Sequence, residues 1–282
     1  MPDSSGLRPA IHIDPPLAEI PELLDRFEVD AFQTTLRDPQ RFGKTGIPTP
    51  EDQALFLERT DGRKSRPWGM VHGSLLVNLA SLEGRIRNAS LSSLVGDLDL
   101  AGRLGLAGVC FHVGYAKGHK SRREAVLAAQ RKLAQLLERA NGPARVLVEN
   151  CCEGSELTQT LEEMAELVDG LGAPAHRLGL VLDTCHLHAA GFDLSRPDAV
   201  ERLAETLERL GLRERLVAFH LNDAEGEAGC HRDRHAVPGE GTIGEGLRRL
   251  VHHPLFLGLP LVLEISLEGA ERGIRYLRGE VD

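Results

Sequence analysis

Short apolar runs alternate with longer segments of helical periodicity along this chain. Segments 121–140 and 155–171 place leucine, alanine and valine at three- and four-residue spacing, as amphipathic helices do, with Ser121 and Ser155 as predicted N-caps. The short runs predict buried strands, and their alternation with helices favours parallel pairing. The eight predicted strands are AIHI (10–13), VDAFQ (29–33), WGMVH (68–72), GVCFH (108–112), RVLVE (145–149), GLVLD (179–183), LVAFH (216–220) and PLVLE (260–264).

Eight strand and helix units predict an α/β fold, a single (β/α)8 TIM barrel. A doubly wound open sheet has the same pattern and stays open as an alternative. Neither a linker nor a break in composition divides the chain, so we expect one domain over residues 1–282 with short flexible ends. The stretches 37–50 and 222–242 are predicted as long loops.

The composition, 41% hydrophobic and 27% charged, is typical of a globular protein. Five cysteines without C-x-x-C spacing argue against a disulfide framework and against a thiolate zinc site. The sequence has no apolar stretch of membrane-helix length and no signal-like N-terminal segment. We therefore expect a cytoplasmic monomer without a membrane partner.

Potential metal ligands end every predicted strand from the third onward. In a barrel, the C-terminal strand ends converge on one mouth, so these side chains are expected to share a basin there. The six residues are His72, His112, Glu149, Asp183, His220 and Glu264. The adjoining loops add His186 in the segment DTCH, and Asp233 with His235 in the segment DRH.

These nine donors, five histidines and four carboxylates, predict a hydrolytic metal site at the C-terminal mouth. Nitrogen and oxygen donors without thiolate suit zinc, with manganese or iron as substitutes. Three tetrahedral zinc ions need more bonds than nine side chains supply, which leaves positions for water and substrate. Such a cluster can activate water and clamp a phosphate, the tasks of phosphodiester hydrolysis.

Two longer motifs resemble the endonuclease IV family. The string GLVLDTCHLHAAGFD (179–193) is similar to its DTCH signature, and HLNDAEGEAGCHRDRHAVPGEGTIG (220–244) is similar to its second signature. Weaker matches are VHGSLLVNLAS (71–81), FHVG (111–114), VLVEN (146–150) and PLVLE (260–264). The resemblance covers about residues 68 to 265.

The resemblance implies a DNA-repair enzyme with three zinc ions. Its substrate would be double-stranded DNA, cut on the 5′ side of abasic sites and trimmed at blocked 3′ ends. Glu149 would be the catalytic residue that orients or deprotonates the attacking water. By the same resemblance the ligand groups would be His72, His112 and Glu149; then Glu149, Asp183, His220 and Glu264; and then His186, Asp233 and His235.

DNA contacts are expected from the loops around the mouth. The family places a DNA-penetrating basic residue in the loop that holds Arg37, and Arg234 lies inside the DRH segment. Gly239 and Gly241 would let backbone amides approach a phosphate, although an ordinary turn is the stronger explanation for them. At Leu75, the family commonly has an aromatic residue that wedges into DNA.

The formal charge of −9 counts against a DNA substrate, although three divalent cations, each +2, would reduce it to −3. One alternative is a sugar isomerase or epimerase, because such barrels also hold metals with carboxylates and histidines. Another is a damage-binding relative that has lost efficient cleavage. The third ligand group favours the phosphodiesterase, since isomerase barrels generally use one or two ions.

Overall fold

The computed structural model describes residues 6–14, 16–43, 45–172 and 176–281. Eight parallel strands close into a barrel in the order β1-β10-β7-β6-β5-β4-β3-β2, and a two-stranded antiparallel hairpin, β8-β9, lies outside it. The strands are β1 (Pro9–His12), β2 (Ala31–Thr34), β3 (Trp68–His72), β4 (Gly108–Phe111), β5 (Arg145–Glu149), β6 (Leu178–Asp183), β7 (Leu216–His220), β8 (Asp223–Ala224), β9 (His235–Ala236) and β10 (Leu261–Leu263).

The predicted barrel is confirmed, and closure excludes the open-sheet alternative. Every predicted strand is present with ends that differ by at most two residues. The chain ends predicted to be flexible, 1–5 and 282, lie outside the described residues.

Helices follow the barrel strands and cover the outside of the barrel. They are α1 (Ile20–Arg26), α2 (Pro50–Asp61), α3 (Gly84–Arg103), α4 (Arg122–Arg139), α5 (Leu161–Asp169), α6 (Thr184–Ala189), α7 (Ala199–Arg209), α8 (Glu245–Val251) and α9 (Leu267–Leu277). Within the described part of the chain, no helix combines the length and the apolar character that crossing a membrane requires.

Ser121 caps α4 as predicted, because its side chain accepts a hydrogen bond from the Glu124 amide. The prediction for Ser155 is wrong: α5 begins six residues later and is capped by Thr160. The intervening backbone pairs instead with the loop after β4, where Ala116 N donates to the Ser155 carbonyl. The loop after β5 is thereby joined to the loop after β4 before the chain enters the helix.

The barrel interior is filled by one small or medium side chain from each strand. These residues are Ala10, Ala31, Met70, Cys110, Leu147, Val181, Ala218 and Val262, all fully buried. A larger apolar layer packs between the strands and the helices. Because the interior is a packed core rather than a pore, a functional site must lie above it, at the strand ends.

Candidate metal centre

One polar side chain from each strand lies directly above the packed interior. Side chains two residues apart on a strand share a face, so the residue two positions beyond each interior residue also points inward. The eight residues in these positions form one layer: His12, Gln33, His72, His112, Glu149, Asp183, His220 and Glu264. Six of these are the predicted strand-end donors, and the layer adds His12 and Gln33.

Glu149 lies at the centre of this layer, and its two oxygens face different histidines. Oε2 is 3.3 Å from His72 Nε2 and 3.4 Å from His112 Nε2, whereas Oε1 is 2.7 Å from His220 Nδ1. The side chain is only 1% exposed. Burial alone would raise the pKa of Glu149, but His220 and His112 outweigh it and hold that pKa well below its usual range. The lowered pKa favours the ionised carboxylate, and both of its oxygens lie beside histidine nitrogens.

A second group of donors surrounds Oε1 of Glu149. His220 Nδ1 is 3.1 Å from Glu264 Oε2, and the Asn222 side-chain amide donates to both Asp183 Oδ2 and Glu264 Oε2, at 2.7 and 3.3 Å. Asn150 holds Asp183 from the other side, since its side-chain oxygen accepts from the Asp183 amide. Burial raises the pKa of Glu264, but His220, His72 and His235 together outweigh it and lower that pKa to about 2.

A third group forms where the hairpin meets helix α6. His186 Nε2 is 3.2 Å from Asp233 Oδ2, and His235 Nε2 is 3.0 Å from Asp233 Oδ1. Strand β9 pairs with β8 and so brings His235 back over the strand ends. Both Nε2 atoms are buried and neither makes a hydrogen bond with any described residue. Buried imidazole nitrogens that lie beside a carboxylate without a hydrogen bond are typical of a site that binds an ion.

All five donor histidines have their second ring nitrogen against a fixed group. In each ring, the nitrogen beside the fixed acceptor is the N–H donor, and the other nitrogen faces the carboxylates. Histidines that bind metals have the same arrangement. The contacts are His72 Nδ1 with Gly73 O (2.9 Å), His112 Nδ1 with Glu156 Oε1 (3.5 Å), His186 Nδ1 with Asn150 O (2.9 Å), His220 Nε2 with Gln33 Oε1 (2.8 Å) and His235 Nδ1 with Glu264 O (3.4 Å).

The spacing of the donor atoms fits metal ions. Tetrahedral zinc with bonds of about 2.1 Å holds its donors about 3.4 Å apart. The histidine-to-carboxylate distances within the three groups run from 2.7 to 3.4 Å. The ligand atoms of His72, His112 and Glu149 all lie within 4.8 Å of one another, as do those of Asp183, His186 and His235. The nine predicted residues are brought together at one end of the barrel.

Comparison with known proteins matches residues 21–280 to the family described as xylose isomerase-like TIM barrel. A protein named "Probable endonuclease 4" from Thermoplasma volcanium is 32% identical over 92% of this chain and 89% of the relative. One of the same name from Chloroflexus aggregans is 35% identical over 84% and 82%. The chain belongs to the endonuclease IV family. The resemblance seen in its motifs is thereby confirmed.

Solved structures agree on the fold of this endonuclease IV family member. Endonuclease IV from Thermus thermophilus superposes with a TM-score of 0.83 at 28% identity, covering 97% of this chain and 98% of that one. A D-tagatose 3-epimerase-like protein superposes with a TM-score of 0.75 at 21% identity, covering 97% and 96%. At that identity the second match shows a shared barrel and nothing about the reaction.

The Arg37 side chain of this endonuclease IV family member is largely buried in an ion pair. Its guanidinium pairs with the buried Asp97 of α3 at 2.6 Å, also donates to the Gly43 carbonyl, and is only 10% exposed. Burial raises the pKa of Asp97 to about 6 even with Arg37 beside it. The expectation of a DNA-penetrating Arg37 does not match this geometry, because the side chain neutralises a buried carboxylate. In the same loop Arg41 is 69% exposed.

Gly239 and Gly241 lie in tight contact with neighbouring side chains. The Gly239 amide donates to Asp223 Oδ2 at 3.0 Å, so it is not available to a phosphate as we expected. A Cβ there would meet the Tyr276 ring at 2.6 Å, and at Gly241 it would meet Asp223 Oδ1 at 2.5 Å. Arg234, by contrast, is exposed beside the third donor group, where it donates to the Asp233 carbonyl.

Sequence reasoning missed two residues that contact the donors. Gln33 contacts His220, and Glu156 contacts His112. The register of β2 carried a signal for Gln33, which lies two residues beyond the inward-facing Ala31. For Glu156 the sequence carries no such signal, because the residue lies in an irregular loop.

Proposed function

We propose that this endonuclease IV family member is a DNA-repair phosphodiesterase that hydrolyses the backbone 5′ to abasic sites and trims blocked 3′ ends. The observation that carries the proposal is the convergence of nine donors at one end of the barrel, where the buried Glu149 carboxylate contacts histidines of two of the three donor groups. The names of its relatives support the same reading.

Each donor group is proposed to hold one zinc ion; manganese or iron suits the same nitrogen and oxygen donors. Bound zinc would activate water at neutral pH and stabilise charge on a phosphate. The groups are His72, His112 and Glu149; Glu149, Asp183, His220 and Glu264; and His186, Asp233 and His235.

Glu149 is the proposed catalytic residue. Its carboxylate is ionised, buried and held between His72, His112 and His220, so it cannot rotate away from the reacting centre. From that position it can accept a proton or a hydrogen bond from the attacking water. Asp183 and Glu264 are held by Asn222 and supply fixed negative charge beside it.

DNA would approach over the loops at the strand ends. Leu75 and Leu76, in the loop after β3, are 52% and 43% exposed, and Tyr115 after β4 is 38% exposed. Apolar side chains of this kind can pack against unstacked bases. Arg41 and Arg234 are the exposed cations that we propose as phosphate contacts, with Arg234 beside the third donor group.

The test uses a duplex with one abasic site and a labelled 5′ end, and an intact duplex as its control. We expect zinc-dependent cleavage of the abasic strand that leaves a 3′-hydroxyl which a polymerase extends. Tight binding without turnover would favour the damage-binding alternative. An absence of both would contradict the proposed substrate.

A further inference from the structure

Gln33 lies within the donor layer, although an amide is not among the usual ligands of zinc. It extends inward from β2 and is fully buried. Its Nε2 is 2.6 Å from Glu264 Oε1 and 3.1 Å from His12 Nδ1, and its Oε1 is 2.8 Å from His220 Nε2. All the hydrogen-bonding capacity of this side chain is thus directed at the layer.

The hydrogen-bond partners of Gln33 distinguish its side-chain oxygen from its side-chain nitrogen. A carboxylate only accepts hydrogen bonds, so the atom of Gln33 facing Glu264 must be the NH2 group. The atom facing His220 is then the carbonyl oxygen, and His220 Nε2 must carry a hydrogen to bond it. This leaves Nδ1 of His220, the nitrogen that faces Glu149 and Glu264, free to carry a lone pair.

We propose that Gln33 is a positioning residue that selects Nδ1 of His220 as a metal-donor atom and holds Glu264 in place beside it. The inference rests on the proposed metal centre and adds to it a residue that does not touch the metal. Gln33 acts on two donors of the second group at once, His220 and Glu264.

Without Gln33, His220 has a competing arrangement. The imidazole is fully buried, so no bulk water can accept from its Nε2 hydrogen. Moving that hydrogen to Nδ1 would place it 2.7 Å from Glu149 Oε1, where it would form a hydrogen bond in place of a metal bond. An acceptor at Nε2 removes this alternative, because it stabilises only the tautomer with a free Nδ1.

His12 keeps the amide from flipping. The second N–H of Gln33 is directed at His12 Nδ1, and His12 Nε2 is 3.4 Å from Asp14 Oδ1. A flipped amide would set its oxygen against the Glu264 carboxylate and its NH2 against the N–H of His220. The orientation is therefore fixed from three sides.

Zinc retention in Gln33→Met tests the inference, with Thr34→Val as the matched control. Methionine has a similar volume, and its thioether sulfur is only a weak acceptor for the Nε2 hydrogen of His220. Thr34 is also buried on β2, but its hydroxyl bonds only a backbone carbonyl. The full chain is loaded with zinc, titrated with a chelator of known zinc affinity and analysed for zinc per chain.

We expect Gln33→Met to release one zinc equivalent at an affinity roughly 10- to 100-fold weaker than the parent, and Thr34→Val to match the parent. Equal retention by the parent and Gln33→Met would overturn the inference. The result is independent of DNA cleavage. A parent that holds zinc with this dependence on Gln33 but leaves abasic DNA intact would contradict the proposed function alone.

A second measurement needs no substitution in β2. Long-range 1H–15N correlation spectra of the zinc-loaded parent distinguish a protonated ring nitrogen from a metal-bound one, and His220→Gln identifies the signals. We expect His220 to carry its hydrogen on Nε2 and to bind metal through Nδ1. The reverse assignment would overturn the inference, even if Gln33→Met failed to fold.

Discussion

Nδ1 of His220 lies 2.7 Å from Oε1 of Glu149, although strand β6 separates the strands that carry these two residues. The same carboxylate turns Oε2 towards His72 and His112. One buried side chain therefore joins two groups of donors, and the proposed chemistry depends on it.

Replacing Glu149 with glutamine removes the charge with little change in shape. We expect kcat on an abasic duplex to fall by roughly 10²- to 10⁴-fold, since the amide can neither accept a proton nor bridge two cations. Single-turnover cleavage measures the effect, and circular dichroism checks the fold. Glu205→Gln, on the exposed face of α7, is the control and should cleave like the parent. Unchanged turnover in Glu149→Gln would remove the proposed mechanism.

Asp233→Asn tests the third donor group. Asp233 faces both His186 and His235, so its neutral amide should weaken binding of the third metal without disturbing the other two. Elemental analysis should show one zinc fewer per chain, and cleavage should fall with it. Asp198→Asn, exposed at the start of α7, is the matched control. Full activity with two zinc ions would favour the kind of site found in isomerase barrels.

Truncation of Arg37 should lower stability, whereas truncation of Arg41 should weaken DNA binding. Arg37→Ala leaves the buried Asp97 unpaired, and we expect the free energy of unfolding to fall by about 3 to 5 kcal/mol. Its KM for abasic DNA, measured where the variant is folded, should stay close to that of the parent. Arg41→Ala should leave stability unchanged and raise KM. A raised KM for Arg37→Ala together with an unchanged one for Arg41→Ala would reverse this assignment.

Zinc stabilisation should increase with pH. Burial lowers the pKa of His235, but the carboxylates of Asp183 and Asp233 outweigh it and raise that pKa to about 9 in the metal-free protein. A raised pKa stabilises the metal-free fold fully below the unfolded value of 6.5, and this contribution is lost as pH rises towards 9. Zinc must displace that proton to bind His235. The free energy of zinc binding therefore becomes more favourable by about 1.4 kcal/mol for each unit of pH increase and each proton released.

The check compares Tm with and without zinc from pH 6.5 to 8.5. We expect the zinc-induced increase in Tm to grow across this window. An increase that is constant with pH would show that zinc displaces no proton and would place it away from His235.

The barrel and the clustering of the nine predicted residues at one end of it could be predicted from the sequence, because both follow from local pattern. Parallel strands converge at their C-terminal ends, so a donor that ends each strand, such as Asp183 or Glu264, needs no further information to be placed. Even the loop donors Asp233 and His235 were close enough in sequence to be assigned to one group. Local pattern does not show which donors would share a metal, and that grouping came only from the resemblance to the family.

The roles of the remaining site residues depend on partners that are distant in the sequence. Arg37 lies in a loop whose sequence cannot show that Asp97, 60 residues away, is buried against it. For Gly239 and Gly241 the sequence left a phosphate contact open beside an ordinary turn, because it could not show that Asp223 and Tyr276 pack against them. Gln33 has no chemistry that marks it as part of a metal site, and only its inward position on β2 does so.

The number and positions of the bound metal ions test the central proposal most directly. Crystals of the full chain grown with zinc would be measured on both sides of the zinc absorption edge. We expect three anomalous peaks, two of them sharing Glu149 and one lying between His186, Asp233 and His235. A map with no peak between these last three residues, or with peaks outside the nine donors, would contradict the trinuclear centre.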